Sequence, residues 1–141
     1  MNVLLLDTGV LLAMFDEQDS YHDDAISLSD VFDVASLIIP WPIMYETLRT
    51  KFVRKTHCLQ EFEQFLIKYR PVKLCDSEYR ETALSECLEQ SIRKNRPLSL
   101  ADCLVREVIV DNTVQIDALG TFNVKDFHDV CFGRDVEIIS N

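Results

Sequence analysis

A chain of 141 residues, 48% hydrophobic and 27% charged, has the length for one domain with a substantial core, and its balance excludes a disordered chain. A formal net charge of −10 argues against any nucleic-acid partner unless metal ions and local basic patches offset it, since phosphate contacts rely on Lys and Arg replacing counterions. Five cysteines, an odd number without CxxC spacing, argue against a disulfide framework and a zinc site and for a reducing cytoplasm.

Three glycines, four prolines and no low-complexity tract or repeat leave residues 1–141 as one expected unit. The chain opens Met-Asn-Val with no basic segment, and Asp7 separates the apolar runs Val3–Leu6 and Val10–Phe15. Neither a signal peptide nor a membrane span is expected. The acids Asp16, Glu17, Asp19, Asp23 and Asp24 read as a solvated face.

Val3–Leu6 lacks the alternation of a half-exposed strand, so it is expected to be buried on both faces before running into Asp7-Thr8-Gly9. Short helices follow over Val10–Phe15 and Tyr21–Leu28, then a strand at Leu37–Ile39 stopped by Pro40. Pro42 suits the first turn of a helix that carries Trp41, Met44, Tyr45, Leu48 and Phe52 on one stripe. Glu46 points roughly 140° from the centre of that stripe, on the side of Ile43, Thr50 and Val53.

An amphipathic helix is expected over Leu59–Lys68 with Phe62, Phe65 and Leu66 inward, and a strand at Val72–Leu74. Ser77–Lys94 reads as a long helix with Leu84, Cys87, Leu88 and Ile92 at helical spacing. Ser99 is a good N-cap, with Asp102 at the third helical position of a helix reaching about Val110. Val114–Leu119, interrupted by Asp117, and Val136–Ile139 complete the strands. Strands alternating with helices give an α/β three-layer domain around a mostly parallel sheet.

In such a sheet ligands sit at the carboxyl ends of the strands, where strand order reverses. Asp7 falls there, and Glu46, Asp102 and Asp126 are the acids that would converge on it to hold a divalent cation. Mg²⁺ and Mn²⁺ take hard oxygen ligands and keep several waters, so a few carboxylates from separate elements suffice. Each acid has an ordinary alternative: Asp7 as a helix N-cap, Asp102 in a capping box with Ser99, Glu46 as a surface acid, Asp126 as a turn cap. The histidines His22, His57 and His128 show no ligand spacing.

Four segments resemble the PIN domain, and within it the VapC-like toxins of toxin-antitoxin pairs. They are Leu6–Ala13, Pro42–Glu46, Leu98–Asp102 and Thr121–Phe127, in the family's order. The resemblance implies a PIN-like α/β/α fold and a Mg²⁺- or Mn²⁺-dependent ribonuclease whose water attacks phosphorus to leave a 5′-phosphate. Asp7 and Asp102 would be principal ligands, with Glu46 and Asp126 completing the acidic pocket. Thr8, Ser99, Thr121 and Asn123 would orient ligands or water. It also implies an RNA substrate, a cognate antitoxin and a homodimer. Asn123 stands where many relatives carry an acid.

Arg49, Lys51, Arg54 and Lys55, just after Glu46, and Arg93, Lys94 and Arg96, just before Ser99, are candidates for RNA phosphates. Equally, they could simply complement helix C-termini. Two other functions remain open: a catalytically silent PIN-like interaction protein, and a Mg²⁺-binding, phosphate-accepting receiver domain. The latter needs an acidic pair at the first strand, where only Asp7 stands.

Overall fold

Leu4, Leu5 and Leu6 are buried because the strand they form lies at the centre of a sheet covered by helices. That strand is β1 (Asn2–Leu6), in a computed structural model that describes Asn2–Asn141. It is followed by α1 (Thr8–Phe15), α2 (His22–Leu28), a 3₁₀ segment (Ser29–Val34) and β2 (Ala35–Pro40). Next come α3 (Trp41–Thr47), α4 (Thr50–Val53), α5 (Thr56–Tyr69) and β3 (Val72–Leu74). The chain then forms α6 (Arg80–Leu88), continued by a π-helical turn (Glu89–Arg93), and α7 (Leu100–Val110). It closes with β4 (Ala118–Gly120), α8 (Val124–Arg134) and β5 (Glu137–Ile139).

The five strands are all parallel in the order β3-β2-β1-β4-β5. The expected mostly parallel α/β sheet is therefore fully parallel. The chain winds outward from β1 through β2 to β3, then crosses back to β4 and β5. Winding reverses between β1 and β4, which are in register at Leu6 and Gly120. A Cβ on Gly120 would lie 3.1 Å from Leu6 Cδ2, so the missing side chain lets these two strand ends close up. No helix among the described residues is long and apolar enough to cross a membrane.

The core under α1 and α5 is aromatic: Phe15 meets Phe62 edge-on at 5.4 Å and Phe65 at 5.5 Å. The inward positions expected for α5 are thus the packed ones, with Phe62 and Phe65 buried. All five cysteines are free, and Cys58, Cys103 and Cys131 are buried as small apolar side chains.

Three elements differ from expectation. The helix begun at Trp41 stops at Thr47, and Ile43, Met44 and Thr47 are its buried face while Tyr45 is 73% exposed. Thr47 Oγ1 donates to Ile43 O at 2.7 Å, a back-bond that weakens helix continuation, and Arg49 is already extended (ψ 164°). The stripe through Phe52 assumed an unbroken helix.

The long helix expected over Ser77–Lys94 begins at Arg80 and turns π-helical after Leu88. It packs through Ala83 and Cys87, leaving Leu84, Leu88 and Ile92 exposed. The last discrepancy is at β4, which is shorter than Val114–Leu119 and ends one residue later. Asp117 sits at its entrance, where Oδ2 accepts from Val3 N at 2.7 Å and fastens the start of β1.

Candidate active site

Asp7 ends β1 and is the N-cap of α1 (φ −93°, ψ 160°), with Oδ1 accepting from Thr8 N at 2.9 Å. Its other oxygen, Oδ2, accepts from Thr121 Oγ1 at 2.9 Å, just past the end of β4. Thr121 is fully buried, and its hydroxyl also accepts from Asn123 N at 3.0 Å. Asp7 itself is only 2% exposed. Burial, then the charge of Asp102, and to a lesser degree that of Glu46, push its carboxyl up from 3.8 to about 6, against the stabilising bonds from Thr121 and Thr8.

Asp102 lies at the third position of α7, where its N–H donates to Ser99 Oγ at 3.0 Å. The capping role expected of Ser99 is therefore present. The Asp102 carboxyl is also raised, first by burial and then by the charges of Asp126 and Glu46, with hydrogen bonding from Ser99 opposing. Glu46, exposed on the last turn of α3, accepts from Thr8 Oγ1 at 2.6 Å. Asp126 occupies the third position of α8. Asn123 precedes α8 with an exposed side chain that forms no cap bond.

Four acids from four elements thus share one electrostatic neighbourhood. The charges of Asp102 and Glu46 act on Asp7, and those of Asp126 and Glu46 on Asp102. Helix N-termini beneath Asp7, Asp102 and Asp126 favour negative charge. Even so, both resolved carboxyls are held up, and no Lys or Arg is among the groups that act most strongly on either.

An uncompensated, all-oxygen donor set fits a hard divalent cation in chemistry. Among the described residues, however, no three His, Cys, Asp or Glu side chains come together as a group that could hold a metal ion.

The basic candidates are scattered. Arg93 pairs with Glu89 at 3.0 Å, and Arg96 pairs with Asp129 at 3.3 Å and donates to Lys125 O at 2.9 Å. Arg96 therefore fastens the start of α8. Arg54 and Lys94 are exposed, whereas Arg49, Lys51 and Lys55 line one cavity.

Sequence reasoning missed Arg106, which is 4% exposed. Its guanidinium grips Asp129 with two bonds (2.7 and 2.9 Å), reaches Glu86 at 2.7 Å and donates to Asp126 O at 2.9 Å. The backbone of a candidate ligand is thus held from beneath. A charged residue on the apolar face of α7 was the one available signal.

Fold and site together define a parallel α/β protein with four acids gathered at its switch point. No protein-family model matches the chain, and no curated protein matches it. Among solved structures it is similar to a chain in the crystal structure of VapBC2 from Rickettsia felis bound to a DNA fragment from their promoter. The TM-score is 0.63 at 14% sequence identity, covering 96% of this chain and 96% of that one. A likeness at that identity establishes a shared fold, in accord with the PIN-like architecture that the four segments imply.

Proposed function

We propose that residues 1–141 form a single VapC-like PIN domain, a Mg²⁺- or Mn²⁺-dependent endoribonuclease that hydrolyses RNA phosphodiester bonds to leave a 5′-phosphate. The observation that carries this reading is the gathering of four acids at the sheet's switch point, where burial first and neighbouring acids next push the Asp7 and Asp102 carboxyls up. A protein retains such repulsion where a cation relieves it. Asp7 and Asp102 would hold the ion, while Glu46 and Asp126 complete the pocket.

Once bound, a hard divalent cation supplies an acidified water and charge neutralisation at phosphorus. The chain's own residues prepare the site. Thr121 fixes one Asp7 oxygen and the Thr8 N–H the other, so that carboxylate cannot rotate. Thr8 also engages one Glu46 oxygen and leaves the second open to solvent and substrate. Ser99 anchors the turn that presents Asp102.

The similar solved chain belongs to a VapBC2 complex on promoter DNA, which supports a cognate antitoxin as partner. A basic antitoxin segment reaching these acids would complement their charge. A homodimer in the cytoplasm belongs to the same reading, with exposed Trp41 and Tyr45 beside Glu46 as candidate contacts.

One observation favours a second reading, a catalytically silent interaction protein: among the described residues the acids form no group that could hold a metal ion. RNA cleavage decides between them. The nuclease reading expects cleavage with Mg²⁺ or Mn²⁺ that Asp7→Asn abolishes; equal cleavage by that variant refutes it.

A further inference from the structure

The chain carries 24 acids against 14 Lys and Arg, so a hollow in which cations outnumber acids is conspicuous. One such cavity, about 260 Å³, lies between the C-terminal end of α1 and the corner joining α3 to α4. Leu12 and Phe52 contribute apolar wall, and Arg49, Lys51 and Lys55 bring three positive charges.

Two carboxylates, Asp16 and Asp19, also line it, but both are engaged. Asp16 pairs with Lys55 Nζ through one oxygen and accepts from Gln18 N at 2.9 Å through the other. Asp19 Oδ1 accepts from Tyr21 N at 2.9 Å. Lys55 is thereby neutralised. The side chains of Arg49 and Lys51 make no hydrogen bond or ion pair among the described residues, although the Lys51 charge acts on Asp16; with Asp19 still charged, the lining keeps one positive charge in excess.

The break after Thr47 creates this hollow. Glu46, on the last turn of α3, faces the acid cluster through Thr8. Three residues later the extended Arg49 has turned into the cavity, which an unbroken helix would not allow. On the other side, α1 links the two places: Asp7 caps its start and Asp16 its end. At 1.5 Å rise per residue that separation is about 14 Å, a distance spanned by a few nucleotides.

We propose that this cavity is a phosphate subsite, in which Arg49 and Lys51 bind a backbone phosphate of an RNA strand whose scissile phosphate lies at Asp7. The strand's identity rests on the nuclease reading above; the phosphate chemistry rests on the cavity itself. Arg49 offers a planar fork matched to two phosphate oxygens, and Lys51 a point charge. The Leu12 and Phe52 walls lower the local dielectric and strengthen both. A protein of strongly negative charge thus needs no basic face, only two well-placed cations.

The test is the affinity of a short labelled single-stranded RNA, measured by fluorescence anisotropy in EDTA so that no cleavage intervenes. Wild type is compared with R49Q/K51Q and with K68Q/K73Q, which removes the same charge at two exposed positions elsewhere. We expect R49Q/K51Q to weaken binding about tenfold or more and to flatten the dependence of log K on log salt by about 0.7, the share of one phosphate on a single strand. K68Q/K73Q should stay near wild type. Inorganic phosphate should displace RNA from wild type.

Failure of wild type to bind RNA, unchanged affinity in R49Q/K51Q, or equal weakening by both double variants overturns the proposal. So does a calorimetric signal for inorganic phosphate that needs Arg49 and Lys51 when RNA affinity does not. Cleavage with Mn²⁺ is read separately. RNA binding that depends on Arg49 and Lys51 without any cleavage removes the nuclease reading and keeps the subsite, and the converse result does the reverse.

Discussion

Thr121 Oγ1 donates a 2.9 Å hydrogen bond to Asp7 Oδ2 across 114 positions of sequence, tying the end of β4 to the end of β1. The bond favours ionised Asp7, whereas burial and the Asp102 charge oppose ionisation. Thr121→Val keeps the shape and deletes the donor, and also strips Asn123 N of its acceptor. We expect the Asp7 carboxyl to titrate above about 6, with a stability loss of about 1 kcal/mol. A carboxyl NMR titration checks this; an unmoved Asp7 contradicts it.

The raised Asp7 carboxyl sets a pH dependence of definite sign. The folded state holds this proton more tightly than the unfolded chain, so its contribution is fully present below about pH 4 and lost as pH rises through about 6. A rise from 3.8 to about 6 corresponds to about 3 kcal/mol. Asp7→Asn removes that term, so in EDTA at pH 8 the variant should be the more stable protein, by up to that amount. At pH 4 the advantage should vanish. Urea unfolding at both pH values reads the difference, and an Asp7→Asn protein that is less stable at pH 8 refutes the account.

Arg106 is the buried hub joining α6, α7 and α8. Truncation to Ala strands Glu86 and Asp129 and leaves a cavity, with an expected loss of about 3 kcal/mol. Arg106→Lys keeps the charge but not the fork, so it should fall between. If Arg106→Lys retains full stability while Arg106→Ala loses it, charge alone suffices and the forked geometry is irrelevant. Urea midpoints separate these outcomes.

An added methyl at Gly120 would meet the tip of Leu6 at 3.1 Å, so that side chain must give by a few tenths of an ångström inside a packed core. Gly120→Ala should cost about 1–3 kcal/mol and disturb the backbone that presents Asp7. Thermal unfolding measures the loss; an unchanged melting temperature would show that Leu6 yields freely.

Where one physical rule acted alone, the chain was readable. The continuous apolar run Val3–Leu6 marked a two-sided buried strand, and Ser99 followed three residues later by Asp102 marked a helix start. Periodicity failed where tertiary packing chose among several apolar faces. On α3, Trp41 and Tyr45 yielded the inside to Ile43 and Thr47, and on α6 the exposed Leu84, Leu88 and Ile92 yielded it to Ala83. The electrostatic links among Asp7, Glu46, Asp102 and Asp126 depend on strand order, which no local pattern encodes. Arg106 was equally hidden, because its partners come from two other helices. Asp117, out of pattern as a strand residue, proved to be the acceptor for Val3 N.

The most direct measurement is a Mn²⁺ titration of thermal stability at neutral pH for wild type, Asp7→Asn and Asp102→Asn. An ion held by these carboxylates stabilises wild type by about 2.7 kcal/mol at a hundredfold excess over its Kd and leaves both variants nearly unmoved. Absence of any shift in wild type, or an equal shift in all three proteins, would contradict a cation site built on Asp7 and Asp102.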